Sequence, residues 1–205
     1  MIEIIDRKAA AARVFTIFAD LYKPPSLEIW RELEQKDFLK NLESLVTDLY
    51  SVEFSLEGIL PDDFGQFCRI HTKAIGSAEE NAVFPIESLY KPWTQDETCT
   101  LPFACEKGYL LGDPAMHINF ILNELQIEIP NEYRGIPDHL SILLELAAYF
   151  IENAPEKFSK GFIRDHLDWL TEFERQLNVQ SIHPFYERIT EMLIKVIEAE
   201  HKFHK

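Results

Sequence analysis

Cysteine, glycine and positive charge are all scarce in this chain. Its three cysteines, Cys68, Cys99 and Cys105, are odd in number and sparse among 205 residues. That is unlike a secreted disulfide framework, so a cytoplasmic location is the expectation. Only seven glycines are present, with no Gly-rich phosphate loop and no Gly-x-Ser-x-Gly nucleophile elbow among them. Lysine and arginine number 20 against 35 acids, a net charge of −15. Non-specific nucleic-acid binding runs on positive charge and is disfavoured, whereas a basic partner segment would be drawn in. No stretch approaches the ~20 apolar residues of a membrane span. The opening Met-Ile-Glu-Ile-Ile-Asp-Arg-Lys places acid ahead of its basic pair and reads as a poor signal peptide. Strand-like alternation persists nowhere.

What is present is helical periodicity. Ala10, Val14, Ile17, Phe18 and Leu21 make an apolar face from about Asp6 to Leu21, stopped by Lys23-Pro24-Pro25. Ser26 caps a second helical region that loses phase near Asp37. Pro61-Asp62-Asp63 opens a helix carrying Phe64, Phe67, Cys68, Ile70 and His71, ending near Gly76. Periodicity then fails as far as Gly112, through Pro85, Pro92, Pro102 and several aromatics; so long an irregular connection is usually functional or mobile. Asp113-Pro114 starts the next helix, which lasts until Pro130. After a polar loop, Ile136 to Ile151 gives the strongest stripe, with Leu140, Leu143, Leu144, Ala147, Phe150 and Ile151. Pro137 fits its first turn, and Asp138 beside it suits the free amides there. Asn153-Ala154-Pro155 separates it from a helix with Phe162, His166, Trp169 and Phe173, and Pro184 starts the last one. These residues predict an all-α fold, a single-domain helical bundle over residues 1–205.

Chemistry-bearing spacings are few. Cys99 and Cys105 stand too far apart for a common zinc pair and lack a second pair. Glu198-x-x-His201 has the spacing of a carboxylate-bridged di-iron bundle, but the end of the chain is expected to fray from His201 to Lys205. Asp62-Asp63 and Glu79-Glu80 read as solvated surface. No nucleophile-plus-base arrangement is suggested, and neither a metal nor another cofactor is expected.

Four segments in order carry a resemblance. Pro137-Asp138-His139-Leu140 with Glu145-Leu146, Phe84-Pro85-Ile86-Glu87-Ser88-Leu89-Tyr90, Phe67-Cys68-Arg69-Ile70-His71, and His183-Pro184-Phe185-Tyr186 together resemble the TorD/DmsD/NarJ family of chaperones for molybdenum-containing reductases. Glu132 lies further ahead of the Pro-Asp-His triplet than the family's acidic residue does. The resemblance implies a non-enzymatic cytoplasmic protein that binds the twin-arginine leader of a molybdopterin-containing reductase subunit before export. It also implies a groove formed by Asp138 and His139 with the 84–90 loop. Such a leader is basic and then apolar, so its receptor needs carboxylates beside an aromatic surface. Asp138 and Glu87 are expected to supply the first, and Tyr90, Trp93, Phe84 and Leu89 the second. Pro137, Pro85, Ser88 and Arg69 complete the expected peptide site. The partner is that leader or N-terminal segment, and the chaperone itself would be a monomer or a dimer swapped about Asn131–Ile136. The alternatives are a nitrate-reductase-type chaperone whose client stays inside the cell, or a helical metalloenzyme using Glu198 and His201.

Overall fold

The computed structural model describes residues 4–35, 37–76 and 82–202, without the side chains of 4–6. The expectations for Glu79-Glu80 and for Phe203 to Lys205 lie outside these residues. Nine α-helices account for the regular structure among the described residues, and no strand occurs there. The predicted all-α class is thereby observed.

Two helices form the centre. α1 (Ile4–Tyr22) and α6 (Leu140–Asn153) pack chiefly on each other. α6 buries ten of its residues and exposes little beyond Glu145, Tyr149 and Glu152, the pattern of a helix with protein on nearly every side. Ala11, Ala12 and Ala19 of α1 and Ala147 of α6 are buried, so small side chains let the axes approach while Val14, Phe15 and Phe18 fill the flanks. α9 (Pro184–Lys202) lies against this pair. The Tyr22 hydroxyl is 2.6 Å from Thr190 Oγ1, which in turn donates to the Tyr186 carbonyl. A core tyrosine is thus satisfied without water.

The remaining helices cover the centre. α2 (Leu27–Leu33) starts where Ser26 accepts the Ile29 amide at 3.1 Å, as its sequence predicts. The loss of phase near Asp37 marks a real break, since α3 spans Phe38–Tyr50. α4 (Phe64–Ala74) is capped by Asp63, whose carboxylate accepts the Gln66 amide at 2.7 Å. Its Phe67 meets Trp30 and Phe185 edge or face. α5 (Asp113–Glu124), α7 (Glu156–His166) and α8 (Leu170–Gln180) complete the set. α5 stops six residues short of Pro130, the stop its sequence predicts; Gln126 has a φ of +54° and the Ile127 amide turns back to the Leu122 carbonyl.

The stretch without periodicity is irregular but not loose. One turn of 3-10 helix spans Glu87–Leu89. Beyond it Trp93 bonds the Glu106 carbonyl and Thr94 the Ala104 carbonyl, at 3.0 and 2.9 Å. The Asp113 carboxylate accepts from Thr94 Oγ1 and the Gln95 amide. Trp93 meets Phe103 edge to face and Phe103 stacks on Tyr109, centroids 5.2 and 4.9 Å apart. Side chains and cross-loop amides here replace the missing ladder.

Candidate functional site

Residues 85–90 are stitched antiparallel onto the start of α6. The Leu140 amide donates to the Pro85 carbonyl (2.8 Å), the Glu87 amide to the Asp138 carbonyl (3.1 Å), and Ile86 and His139 form a β-bridge. Asp138, fully buried, accepts from both the amide (2.7 Å) and the hydroxyl of Ser88. Its burial still pushes the carboxyl above the ordinary carboxylate range, with the Ser88 bonds working against that. Asp138 is therefore not the cap of its own helix. That place belongs to His139, whose Nδ1 accepts the Ser141 amide at 3.2 Å and lies 2.8 Å from Ser141 Oγ. Pro137 precedes the helix rather than opening its first turn. His139 is buried against Tyr133 (5.1 Å between rings). Burial, with His71 nearby, drives its pKa down to about 3. It is a neutral imidazole whose proton sits on Nε2.

Glu87 is the second buried carboxylate. Its two oxygens reach Lys91 Nζ and His166 Nδ1, each at 2.8 Å. Lys91 also meets Asp168 at 2.7 Å and the Asp165 carbonyl at 2.5 Å. His166 Nε2 is 2.8 Å from Nδ1 of His117, so a carboxylate–imidazole–imidazole chain runs from the 87–89 turn to α5. Tyr90 stacks on Trp169 at 4.8 Å and donates its hydroxyl to the Phe84 carbonyl.

The 84–90 loop and the start of α6 are thus brought together at one place, but their carboxylates are not offered to a ligand. Asp138 and Glu87 are fully buried; Ser88 holds the first, and Lys91 with His166 the second. An arginine entering from solvent meets neither, because both carboxylates lie beneath the surface, Glu87 paired with Lys91 and Asp138 hydrogen-bonded through one oxygen by Ser88. Pro85, Ser88, Pro137 and Tyr90 are buried too, whereas Leu89 and Trp93 are half-buried. Arg69 lies exposed on α4.

Two open grooves flank this clasp, and neither was foreseen from sequence. One, of about 500 Å³, lies between the end of α1, α2, the 130–133 turn and α6. Asp20, Glu28, Glu32, Glu132 and Glu145 line it, with Lys23 as its basic residue. Lys23 is held by Asp20 at 2.8 Å and Glu145 at 2.5 Å. Tyr133, on its wall, is the residue whose ring leans on His139. The only sequence hint was the i, i+4 spacing of Glu28 and Glu32 on one face of α2. The other groove, of about 530 Å³, opens between α5 and α7. Phe120, Ile121, Phe158 and Phe162 line it beside His117 and His166. No group of three or more metal-ligating side chains occurs among the described residues, and Glu198 and His201 acquire no such partners there.

Residues 71–190 match the family model described as nitrate reductase delta subunit, and the chain belongs to that family, the TorD/DmsD/NarJ chaperones. It is similar to the probable Tat proofreading chaperone DmsD of Haemophilus influenzae, 30% identical over 90 residues, 43% of this chain and 44% of the relative. It is also similar to the chaperone protein TorD of Salmonella schwarzengrund and of Salmonella agona. Identity to both is 26%, over 113 and 110 residues, covering 51% and 50% of this chain and 52% and 51% of each relative. The chain matches about half the length of these curated relatives. Among the described residues, no helix is long and apolar enough to cross a membrane.

Proposed function

We propose that the protein is a cytoplasmic chaperone, not an enzyme, for a molybdopterin-containing reductase subunit. It would bind the subunit's N-terminal twin-arginine leader and hold it until maturation precedes export. The observation that carries this reading is the acidic groove beside the clasp: five carboxylates against one lysine. Guanidinium groups pair with carboxylates in forked hydrogen bonds that a lysine would not reproduce. The clasp acts behind the groove. By fixing His139 and Tyr133 it sets one wall, so Asp138, Glu87 and Ser88 serve recognition as positioning residues.

A fluorescent leader with two adjacent arginines tests this. Glu32→Lys with Glu132→Lys reverses two exposed charges that hold no core residue. The expected result is a roughly tenfold or larger loss of leader affinity, about 1.4 kcal/mol, with an unchanged melting temperature. Affinity equal to that of the wild type would remove the acidic groove from the reading. Absence of leader binding by the wild type would remove the leader itself.

A second reading has its own support in the description of the matching family, the nitrate reductase delta subunit. There the client would stay inside the cell and the bound segment would lack a working export signal. Capture of the client from the native host, followed by sequencing of its N-terminus, separates the two.

A further inference from the structure

The groove between α5 and α7 has an apolar floor and one polar wall. Phe120 and Phe158 stand 60% and 51% exposed, a large area of aromatic surface for a free protein to leave in water. The wall is the His117–His166 pair, and its hydrogen-bond direction is fixed from behind. Glu87 is an acceptor, so Nδ1 of His166 carries a proton toward it. In a neutral pair, Nε2 of His166 then accepts from Nδ1–H of His117, which leaves Nε2 of His117 as a bare acceptor. One added proton reverses this. Taken up at that bare nitrogen, the proton makes Nε2 of His117 an N–H while Nδ1–H of His117 goes on donating to His166. The groove wall changes from an acceptor to a donor, and the pair gains a positive charge.

The surrounding charges say what suits the neutral wall. Glu87 lies behind it, Asp165 lines the same groove, and Asp168 is held by Lys91, itself consumed by Glu87; Lys157 stands on the rim. An anionic ligand would meet these carboxylates and no donor, whereas an apolar segment carrying amide N–H groups or a following cation would be complementary. Such a segment is the apolar half of the leader proposed above. Ile121 lines this groove and Pro130 the acidic one. The nine-residue step between them (130 − 121) separates the grooves by at most roughly 30 Å, within reach of a leader lying extended across both.

We infer that the α5–α7 groove seats the apolar half of the leader, and that uptake of one proton by the His117–His166 pair releases it. This rests on the leader reading. Burial and the neighbouring His166 already hold the His117 pKa below its ordinary value of 6.5, with Glu87 and Asp165 opposing. The groove is therefore in its accepting form at neutral pH.

The test uses a labelled leader free of His, Asp and Glu, with two arginines ahead of about a dozen apolar residues, titrated at pH 7.5 and pH 5.5. The wild type should bind more weakly at pH 5.5, by roughly twofold to tenfold, because a group held below 6.5 is only partly protonated there. His117→Gln, which offers a non-titrating amide, should bind equally at both. Phe120→Ser with Phe158→Ser should weaken the whole leader about tenfold at pH 7.5 and leave a truncated leader, ending after its arginines, unaffected. Wild-type affinity that is equal at the two pH values overturns the proton step, as does a His117→Gln variant that keeps the pH dependence. The latter would trace the effect to general acid loosening of the fold. Full affinity in the double serine variant overturns the seat while leaving the acidic groove standing. If no leader binds even the wild type, both readings fall together.

Discussion

Ser88→Ala is the sharpest probe of how the 85–90 segment is held to α6. The substitution removes one of the two donors that reach the Asp138 carboxylate and leaves the amide of residue 88 in place. Because Asp138 is fully buried, water cannot replace the lost bond. A hydrogen bond to a buried charge contributes about 1.5–3 kcal/mol, so about 2 kcal/mol is expected at pH 7.5. For a domain of this length that is a fall of about 4–8 °C in melting temperature. The loss also has a pH signature. Asp138 titrates above its ordinary 3.8 in the folded protein, and without the hydroxyl it titrates higher still. A raised folded pKa means stability that is complete below 3.8 and declines as pH rises through the folded value. The gap between wild type and variant is therefore widest at neutral pH and narrows as pH falls toward 4. Urea unfolding at pH 7.5, 6 and 4.5 measures it, with Asp138→Asn as a milder companion that keeps an acceptor for both donors. A gap under 0.5 kcal/mol at pH 7.5, or one that widens in acid, would refute the account of the clasp.

Two further outcomes follow from the same geometry. His139 titrates near 3 when folded and near 6.5 when free, so its contribution is intact above pH 6.5 and drains away as pH falls toward 3. About 2 kcal/mol should be gone by pH 5, and His139→Gln should flatten the slope; urea midpoints that do not move between pH 7 and 5 in the wild type would contradict this. Gly112→Ala places a methyl group against the backbone carbonyl of Trp93, whose oxygen also accepts the Asp113 amide at 2.7 Å. A destabilisation of roughly 1–3 kcal/mol is expected, with a changed near-ultraviolet circular dichroism signal from Trp93; a neutral substitution would mean that the loop yields freely.

The helices were legible because their signals are local. Ser26 caps α2, and Pro114 and Pro184 stand in the first turns of α5 and α9 as proline chemistry places them, although Gly112 rather than Asp113 holds the cap position of α5; the stripe from Leu140 to Ile151 became the central helix. What stayed hidden depended on distance along the chain. Local rules assign Asp138 to the amides of its own helix, yet its true donors sit 50 residues earlier, on Ser88. Glu87 finds His166 at a separation of 79, and His166 finds His117 at 49. No spacing rule reaches across such gaps. The family resemblance brought the right segments together, but it could not say that their carboxylates would be spent inside. Nor could it show that the open acids would come from α1, α2 and the 130–133 turn. Asp20, Glu28 and Glu32 read singly as ordinary solvated charge, and Glu132 as an acid displaced from its expected place.

The pairing of α1 with α6 has a further consequence for synthesis. On a ribosome adding roughly 5–20 residues per second, α1 emerges well before Leu140 does. For several seconds or longer the alanine-lined side of α1 has nothing of its own chain to close upon. During that interval the apolar side of α1 is exposed surface of the kind that aggregates or that general chaperones cover.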